Sequence, residues 1–210
     1  MQTIEKIFGI TCPACGNTFE KEMNTAVFSA TEDRELILTN QFGIQHCPNC
    51  GHEFVLNYRF AYTDDEIKFM IVNDPQFVDG KARLAFKSSL TLLDKFHKEE
   101  QEKYLTRMTS DIEELREKIV IFENYLSDKA IEIMKYILLE SNELAFDHDD
   151  VISFRLVDGN TYLIKTTDGK EYTLGFVREV YDKIISQYDG LFDAENAEKV
   201  DKNWAYEFLK

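Results

Sequence analysis

The chain has 210 residues, of which 44% are hydrophobic and 30% charged, a composition typical of globular proteins. Its formal net charge of -15 disfavours functions that need a basic surface, such as nucleic-acid binding. No stretch is long and apolar enough for a membrane span, and the N-terminus lacks the pattern of a signal peptide. We therefore expect a cytoplasmic protein without a membrane segment.

All four cysteines lie in two copies of the pattern Cys-Pro-x-Cys-Gly, between predicted strands such as 6–11 and 18–28. Proline stiffens each turn, and glycine allows the positive φ that directs backbone amides toward the thiolates. This spacing is typical of structural zinc sites. It predicts one tetrahedral zinc, or iron, bound by Cys12, Cys15, Cys47 and Cys50.

A redox-active dithiol is the alternative interpretation of a Cys-x-x-Cys pair. Such a pair needs a strand before it and a helix after it, whereas residues 16–19 and 51–54 have the pattern of a turn followed by a strand. Cysteines confined to metal-type spacing also fit a reducing cytoplasm better than a disulfide-linked scaffold. The pattern therefore favours metal binding over thiol chemistry.

The rest of the N-terminal region alternates between short elements. A capping box at residues 29–32 predicts a short helix that ends near Asn40. A short strand at residues 42–45 leads into the second cysteine pair. Strict alternation over residues 53–62 predicts a long strand, and residues 67–72 are predicted to return as its hairpin partner.

The two Cys-Pro-x-Cys motifs, the short helix between them and the segment FAYTDDEIKFMIV resemble the CpXC family of bacterial and archaeal proteins. The resemblance covers about residues 8–75 and extends to about 140, through TRMTSDIEELREKIVIFENYLSDKAIEIMK. Residues 76–103 look like an insertion or a divergent segment. The resemblance implies a zinc-ribbon-like fold and the four metal ligands. It implies no activity, because the family is functionally uncharacterised.

A different kind of sequence follows at residues 80–105. One apolar stripe, followed by a charged stretch at residues 98–103, predicts a helix that packs by one face. The stripe consists of Phe86, Leu90, Leu93 and Phe96. A self-association arm is the alternative interpretation.

Two amphipathic helices are predicted next. A capping box at residues 110–113 starts the first, whose apolar seam runs from Ile112 to Leu126. The second follows Ser127 and extends to Leu138. Helices joined by so few residues predict an antiparallel hairpin, and we interpret its seam as core.

The C-terminal part changes from period 3.6 to period 2. Alternation from Val151 to Phe176, with turn signals at residues 158–160 and 168–169, predicts a three-stranded meander. A helix is predicted over residues 177–188. The acidic tail after this helix contains four apolar side chains, Trp204, Tyr206, Phe208 and Leu209. We therefore expect the tail to fold back or to bind a partner.

These elements predict an α+β protein with a metal-stabilised N-terminal module. The predicted regions are a zinc-ribbon-like β module at 1–75, a connecting helical segment at 76–109, an α/β C-terminal domain at 110–190 and an acidic tail with an aromatic C-terminus at 191–210. The C-terminal domain contains the helical hairpin, the small antiparallel meander and a C-terminal helix. We expect the ribbon and the C-terminal part to fold as separable units.

Other residues with chemical potential are few. His46 and His52 flank the second cysteine pair, but four sulfurs already complete a tetrahedron, so we expect neither to be a ligand. Another cluster can hold a hard cation or supply an acid–base pair; it consists of Asp147, His148, Asp149 and Asp150. We interpret this cluster as a solvated loop before a strand, because no other motif supports it.

The sequence has no glycine-rich phosphate loop, no HExxH motif and no nucleophile elbow. It therefore favours a zinc-binding cytoplasmic protein with an interaction or adaptor role over an enzyme. We expect a protein partner or a homo-oligomer, and neither nucleic acid nor a membrane. The alternative is a metal-dependent hydrolase or another enzyme whose site lies between the ribbon and the helical part.

The charge pattern predicts no measurable DNA or RNA binding near physiological salt. Residues 1–60 contain four basic side chains and seven acidic ones, too few cations to release counterions from phosphates. Gel-shift or anisotropy titrations with single- and double-stranded probes test this prediction. Micromolar binding that weakens steeply with added salt would contradict it.

Overall fold

The computed structural model describes residues 4–77, 104–141, 144, 146–194 and 198–210. The chain forms two compact units, Met1–Arg116 and Glu117–Lys210. Both contain strands and helices, so the α+β class is confirmed. The stripe predicted between Phe86 and Phe96 lies outside the described residues. The domain boundaries predicted at residues 75, 109 and 190 remain predictions.

The first unit is built mainly from strands. Its described elements are β1 (Ile4–Thr11), β2 (Thr18–Phe28), α1 (Glu32–Leu38), β3 (Ile44–His46), β4 (Glu53–Val55), β5 (Phe60–Asp64), β6 (Phe69–Asn73), β7 (Leu105–Thr109) and the start of α2 (Ile112–Glu123). Five strands form one sheet in the order β1-β2-β5-β6-β7. The strands β3 and β4 pair separately as a two-stranded ribbon.

The five-stranded sheet combines two antiparallel hairpins with parallel joins. The pairs β1/β2 and β5/β6 are antiparallel, whereas β2/β5 and β6/β7 are parallel. At the β5–β6 turn the Asp64 carboxylate accepts hydrogen bonds from the backbone of Glu66 (2.9 Å) and Ile67 (2.8 Å). This arrangement confirms the hairpin predicted between residues 60 and 72.

The single long strand predicted over residues 53–62 is wrong. The structure divides it into β4 and β5, which belong to different sheets. Between them the Leu56 backbone N–H donates to the Gly43 carbonyl (2.8 Å), and the Tyr58 carbonyl accepts from the Asn73 side chain (2.8 Å). A buried side-chain amide thus replaces a strand partner where the chain passes from one sheet to the other.

The predicted capping boxes begin at the wrong residues, although both helices are present. The helix α1 follows Thr31 rather than Ser29. Before α2, the Asp111 carboxylate accepts from the Glu114 backbone N–H (2.8 Å), and the Glu114 carboxylate accepts from that of Ser110 (2.9 Å). Asp111 therefore caps the helix, one residue after the predicted position.

Aromatic side chains fill part of the core of the first unit. Tyr58 lies 5.3 Å from Phe8 and 5.2 Å from Phe60 between ring centroids, and Phe42 lies 4.9 Å from Phe60. The Tyr58 hydroxyl donates to the Asn24 carbonyl (2.8 Å), and burial raises the pKa of Tyr58 above its ordinary value. Tyr58 and Phe60, two aromatic residues of the alternating run 53–62, therefore pack inside the protein.

The second unit joins helices to a meander. After the C-terminal part of α2, its described elements are α3 (Asp128–Glu140), a 3-10 turn (His148–Asp150), β8 (Val151–Leu156), β9 (Thr161–Thr166), β10 (Glu171–Gly175), α4 (Arg178–Ala194) and α5 (Lys202–Phe208). The three strands form an antiparallel sheet in the order β10-β9-β8, which confirms the predicted meander. No helix among these or the other described residues is long and apolar enough to cross a membrane.

The C-terminal tail folds back onto the preceding helix, which is one of the two outcomes predicted for it. In α5, Phe208 lies 5.6 Å from Phe192 and 5.5 Å from Tyr188 of α4 between ring centroids. Trp204 stacks on Phe208 at 5.0 Å. The Lys129 ammonium lies 5.9 Å from the Trp204 ring and donates to the Phe192 carbonyl (2.6 Å), so the tail is attached to α3 as well.

A buried cluster of charged side chains links α2 to α3. Its members, each at most 7% exposed, are Glu117, Lys118, Asp128, Glu132 and Lys135. The Lys135 ammonium lies 3.0 Å from the Glu117 carboxylate and 2.8 Å from that of Glu132. The Lys118 ammonium lies 3.2 Å from Asp128. These pairs join the two helices of the predicted hairpin.

The same cluster connects the helices to the meander. The Glu117 carboxylate accepts a hydrogen bond from the Leu156 backbone N–H in β8 (2.8 Å). Burial raises the pKa of Glu132, although Lys135 and Lys118 act in the opposite direction. A buried carboxyl group of this kind depends on its ammonium partners.

Replacing Lys135 with alanine should lower the free energy of unfolding by about 3–5 kcal/mol, because it leaves two buried carboxylates without their shared cation. The matched control is Lys183→Ala on the exposed surface of α4, which should change stability by less than about 0.5 kcal/mol. Urea denaturation followed by circular dichroism measures both values. Equal stability of the two variants would contradict the role given to the cluster.

Candidate metal centre

Each cysteine pair lies in the turn of a β-hairpin. The hairpin β1/β2 closes with Thr11 opposite Thr18, and its turn is the first knuckle, residues 12–17. The hairpin β3/β4 closes with His46 opposite Glu53, and its turn is the second knuckle, residues 47–52. The strands thus hold both turns at the ends of regular ladders.

Backbone hydrogen bonds fix the first knuckle. The Cys12 N–H donates to the Asn17 carbonyl (2.9 Å), and the Gly16 N–H donates to the Cys12 carbonyl (3.0 Å). Gly16 has a φ of +73°, as the sequence pattern predicts for the glycine of each copy. A residue with a Cβ is strained in this region of backbone space.

The second knuckle repeats this geometry. The Cys47 N–H donates to the His52 carbonyl (3.0 Å), and the Gly51 N–H donates to the Cys47 carbonyl (2.9 Å). Gly51 has a φ of +72°. Two cysteine pairs separated by 31 residues therefore lie in the same kind of turn.

The two knuckles bring the four predicted sulfurs together. All four Sγ atoms lie within 4.8 Å of one another. The distance between knuckles is 3.8 Å from Cys12 Sγ to Cys50 Sγ and 3.6 Å from Cys15 Sγ to Cys47 Sγ. A tetrahedron of sulfurs about 2.3 Å from a zinc ion has edges of about 3.8 Å. The cluster therefore has the dimensions of a four-sulfur metal site.

The electrostatics of the cluster also favour a bound cation. The Asn17 backbone N–H and then the Asn49 side chain lower the pKa of Cys15 to about 6. The His52 backbone N–H also lowers the pKa of Cys50. This effect is outweighed by the neighbouring sulfurs, of which that of Cys15 has the largest influence, and by burial, so the pKa of Cys50 is raised to about 12. Without a cation the sulfurs therefore do not all ionise near neutral pH, whereas a divalent ion favours four thiolates.

The two histidines near the site do not join the sulfur cluster. His46 Nε2 lies 3.7 Å from the Glu53 carboxylate, and the His52 ring stacks on Phe54 with centroids 6.1 Å apart. Within the described part of the chain, the four cysteines form the one group of side chains that can hold a metal ion. This agrees with the expectation that neither histidine is needed as a ligand.

The acidic cluster at residues 147–150 is an exposed 3-10 turn before β8. The Asp147 carboxylate caps this turn by accepting from the Asp149 backbone N–H (3.4 Å). His148 Nδ1 lies 3.7 Å from the Asp149 carboxylate. The exposure of residues 147–150 agrees with their interpretation as a solvated connection before a strand. The connection is a short helical turn rather than an irregular loop.

One side chain at the site was not predicted from the sequence. The Asn49 amide, in the second knuckle, donates across to the Cys15 sulfur of the first knuckle at 3.7 Å. The equivalent position of the first knuckle is Ala14, which has no side-chain donor. This difference is visible in the sequence, but its consequence depends on how the two distant turns meet.

Comparison with known families identifies the chain. A family model described as CpXC protein matches residues 10–135, more than half of the 210 residues. The chain belongs to the CpXC family. The matched range includes the four cysteines of this CpXC protein and extends into α3. No curated protein and no solved structure matches the chain significantly.

The knuckle geometry predicts that Gly16→Ala destabilises the CpXC protein by about 1–2 kcal/mol, because alanine is strained at positive φ. Gly9→Ala in β1 is the matched control: neither glycine has an atom within 4 Å of an added Cβ, and Gly9 does not have a positive φ. Chemical denaturation of the two variants measures the difference. Equal free energies of unfolding would contradict the predicted strain.

Proposed function

We propose that this CpXC protein binds one zinc ion through Cys12, Cys15, Cys47 and Cys50, and that the ion has a structural role. The observation that carries the proposal is the convergence of four sulfurs within 4.8 Å on two matching turns. Zinc forms such four-thiolate sites readily because it has no geometric preference that opposes a tetrahedron. Iron in the same sulfur cage is an outcome that metal analysis distinguishes.

A structural role is favoured over a catalytic one by the number of ligands. Catalytic zinc sites have three protein ligands and leave a position for water or substrate. Four cysteines fill the tetrahedron and leave no such position. The hydrolase alternative requires an open position, so the donor set argues against it.

The bound ion would close a long loop in the first unit. The two cysteine pairs are separated by 31 residues that include all of β2, α1 and β3. A link between them reduces the conformational freedom of the unfolded chain, and structural zinc contributes on the order of 10 kcal/mol in small zinc modules. The β3/β4 ribbon, with three residues in each strand, depends most on this link.

We propose that the folded module acts as an adaptor that binds a protein partner or a second copy of itself in the cytoplasm. The formal charge of -15 disfavours nucleic acid and favours a partner with a basic surface over self-association. A reducing compartment suits the site, because it keeps the four cysteines free to bind metal.

Metal analysis of purified protein tests the zinc site. We expect about one zinc ion per chain, a loss of most of it in Cys47→Ser, and full zinc content in the control variant His52→Ala. Cys47 is suited to this test because it is buried in the second knuckle, whereas His52 is exposed beside it. Full zinc content in Cys47→Ser, or loss in His52→Ala, would contradict the proposed ligand set.

The adaptor role is tested with affinity capture from native cell extract. The zinc-loaded protein should retain a basic partner that elutes as salt is raised, since Debye screening weakens charge pairing. Cys47→Ser serves as the unfolded-module control and should retain less. Equal capture by both forms would contradict an adaptor role for the metal-stabilised module.

A further inference from the structure

The four sulfurs of the site differ in their accessibility. Cys12 and Cys47, the first cysteine of each knuckle, are 1% and 3% exposed. Cys15 and Cys50, the second of each, are exposed at the surface. A reagent in solution can therefore reach Cys15 and Cys50 before it reaches the other pair.

The two exposed sulfurs differ in the hydrogen bonds that they accept. Cys15 accepts from the Asn17 backbone and, at 3.7 Å, from the Asn49 side chain of the other knuckle. Cys50 accepts from the His52 backbone. Ala14 occupies the equivalent position of the first knuckle, and its side chain has no donor. The site thus has matched backbones but an uneven set of side-chain donors.

A hydrogen bond to a thiolate draws negative charge away from sulfur. The nucleophilicity of a thiolate falls as its negative charge is stabilised. Cys15, with a donor from each knuckle, is therefore the weaker nucleophile of the two exposed sulfurs. Cys50 is the stronger one, although both occupy equivalent positions in their turns.

We propose that Cys50 is the modification site of this CpXC protein for soft electrophiles of the α,β-unsaturated carbonyl class, and that Asn49 protects Cys15 from the same reaction. This inference rests on the proposed zinc site, because it concerns four ionised sulfurs. It assigns different roles to two cysteines that the sequence motif presents as equivalent.

The reaction is a conjugate addition. The Cys50 thiolate forms a carbon–sulfur bond to the β-carbon of the electrophile, the carbon–carbon π bond opens, and the α-carbon takes a proton from water. The product is an uncharged thioether, which is a much poorer zinc ligand than a thiolate. Modification of Cys50 therefore releases the metal and loosens the link between the knuckles.

N-ethylmaleimide provides the probe. Zinc-loaded protein comprising residues 1–210 is treated with one equivalent. The modified cysteine is located by fragment-ion mass spectrometry, and released zinc is followed with a chromogenic chelator. We expect Cys50 to be labelled about fivefold faster than Cys15, the factor that one hydrogen bond typically provides. Cys12 and Cys47 should follow only after zinc release.

Two variants separate the effect of the Asn49 side chain from that of exposure. Asn49→Ala should raise the labelling rate of Cys15 about fivefold and bring it close to that of Cys50. Asn17→Ala is the control, because this residue donates to Cys15 through its backbone, which alanine retains. The control should keep the wild-type order of labelling.

The outcomes distinguish this inference from the zinc site on which it rests. Zinc-loaded wild type that is labelled at Cys15 first, or an unchanged Cys15 rate in Asn49→Ala, would overturn the inference and leave the zinc site intact. Protein that binds no zinc would overturn both. Labelling of Cys50 first, with the Cys15 rate raised in Asn49→Ala alone, supports both parts of the proposal.

Discussion

The first unit depends on the convergence of two hairpin turns on one point. Their four sulfurs lie within 4.8 Å of one another, and mutual repulsion opposes ionising all of them without a cation. A divalent ion would convert this repulsion into attraction and would link the two cysteine pairs, which are separated by 31 residues. The β3/β4 ribbon has only three residues in each strand, too few for an independent hairpin, so its stability would depend on that link.

The second knuckle is also connected to the centre of the five-stranded sheet. The chain leaves β4, crosses residues 56–59 and enters β5, the middle strand of that sheet. The buried Asn73 side chain holds the crossing by donating to the Tyr58 carbonyl. The second unit contains no cysteine and relies on a buried charge cluster and on aromatic packing of its tail. With a metal ion at the cysteines, the two units would be stabilised by different chemistry.

The sequence predicted what local pattern determines and missed what tertiary contact determines. The knuckles, the hairpin helices and the meander follow from motif spacing and periodicity, and the structure contains them. The alternation over residues 53–62 indicates which side chains are buried, but it does not indicate to which sheet each residue belongs. The division into β4 and β5 was therefore not predictable. The Asn49–Cys15 hydrogen bond joins turns far apart in sequence, and the charges of Glu117 and Lys135 gave no sign that helix packing would bury them.

X-ray absorption at the zinc edge, recorded on the zinc-loaded protein, tests the four-cysteine zinc site directly. We expect a first coordination shell of four sulfur atoms at about 2.3 Å, with no nitrogen or oxygen scatterer. A shell that contains nitrogen at about 2.0 Å would place a histidine, such as His46 or His52, among the ligands. That result would contradict the four-cysteine site and the structural role derived from it.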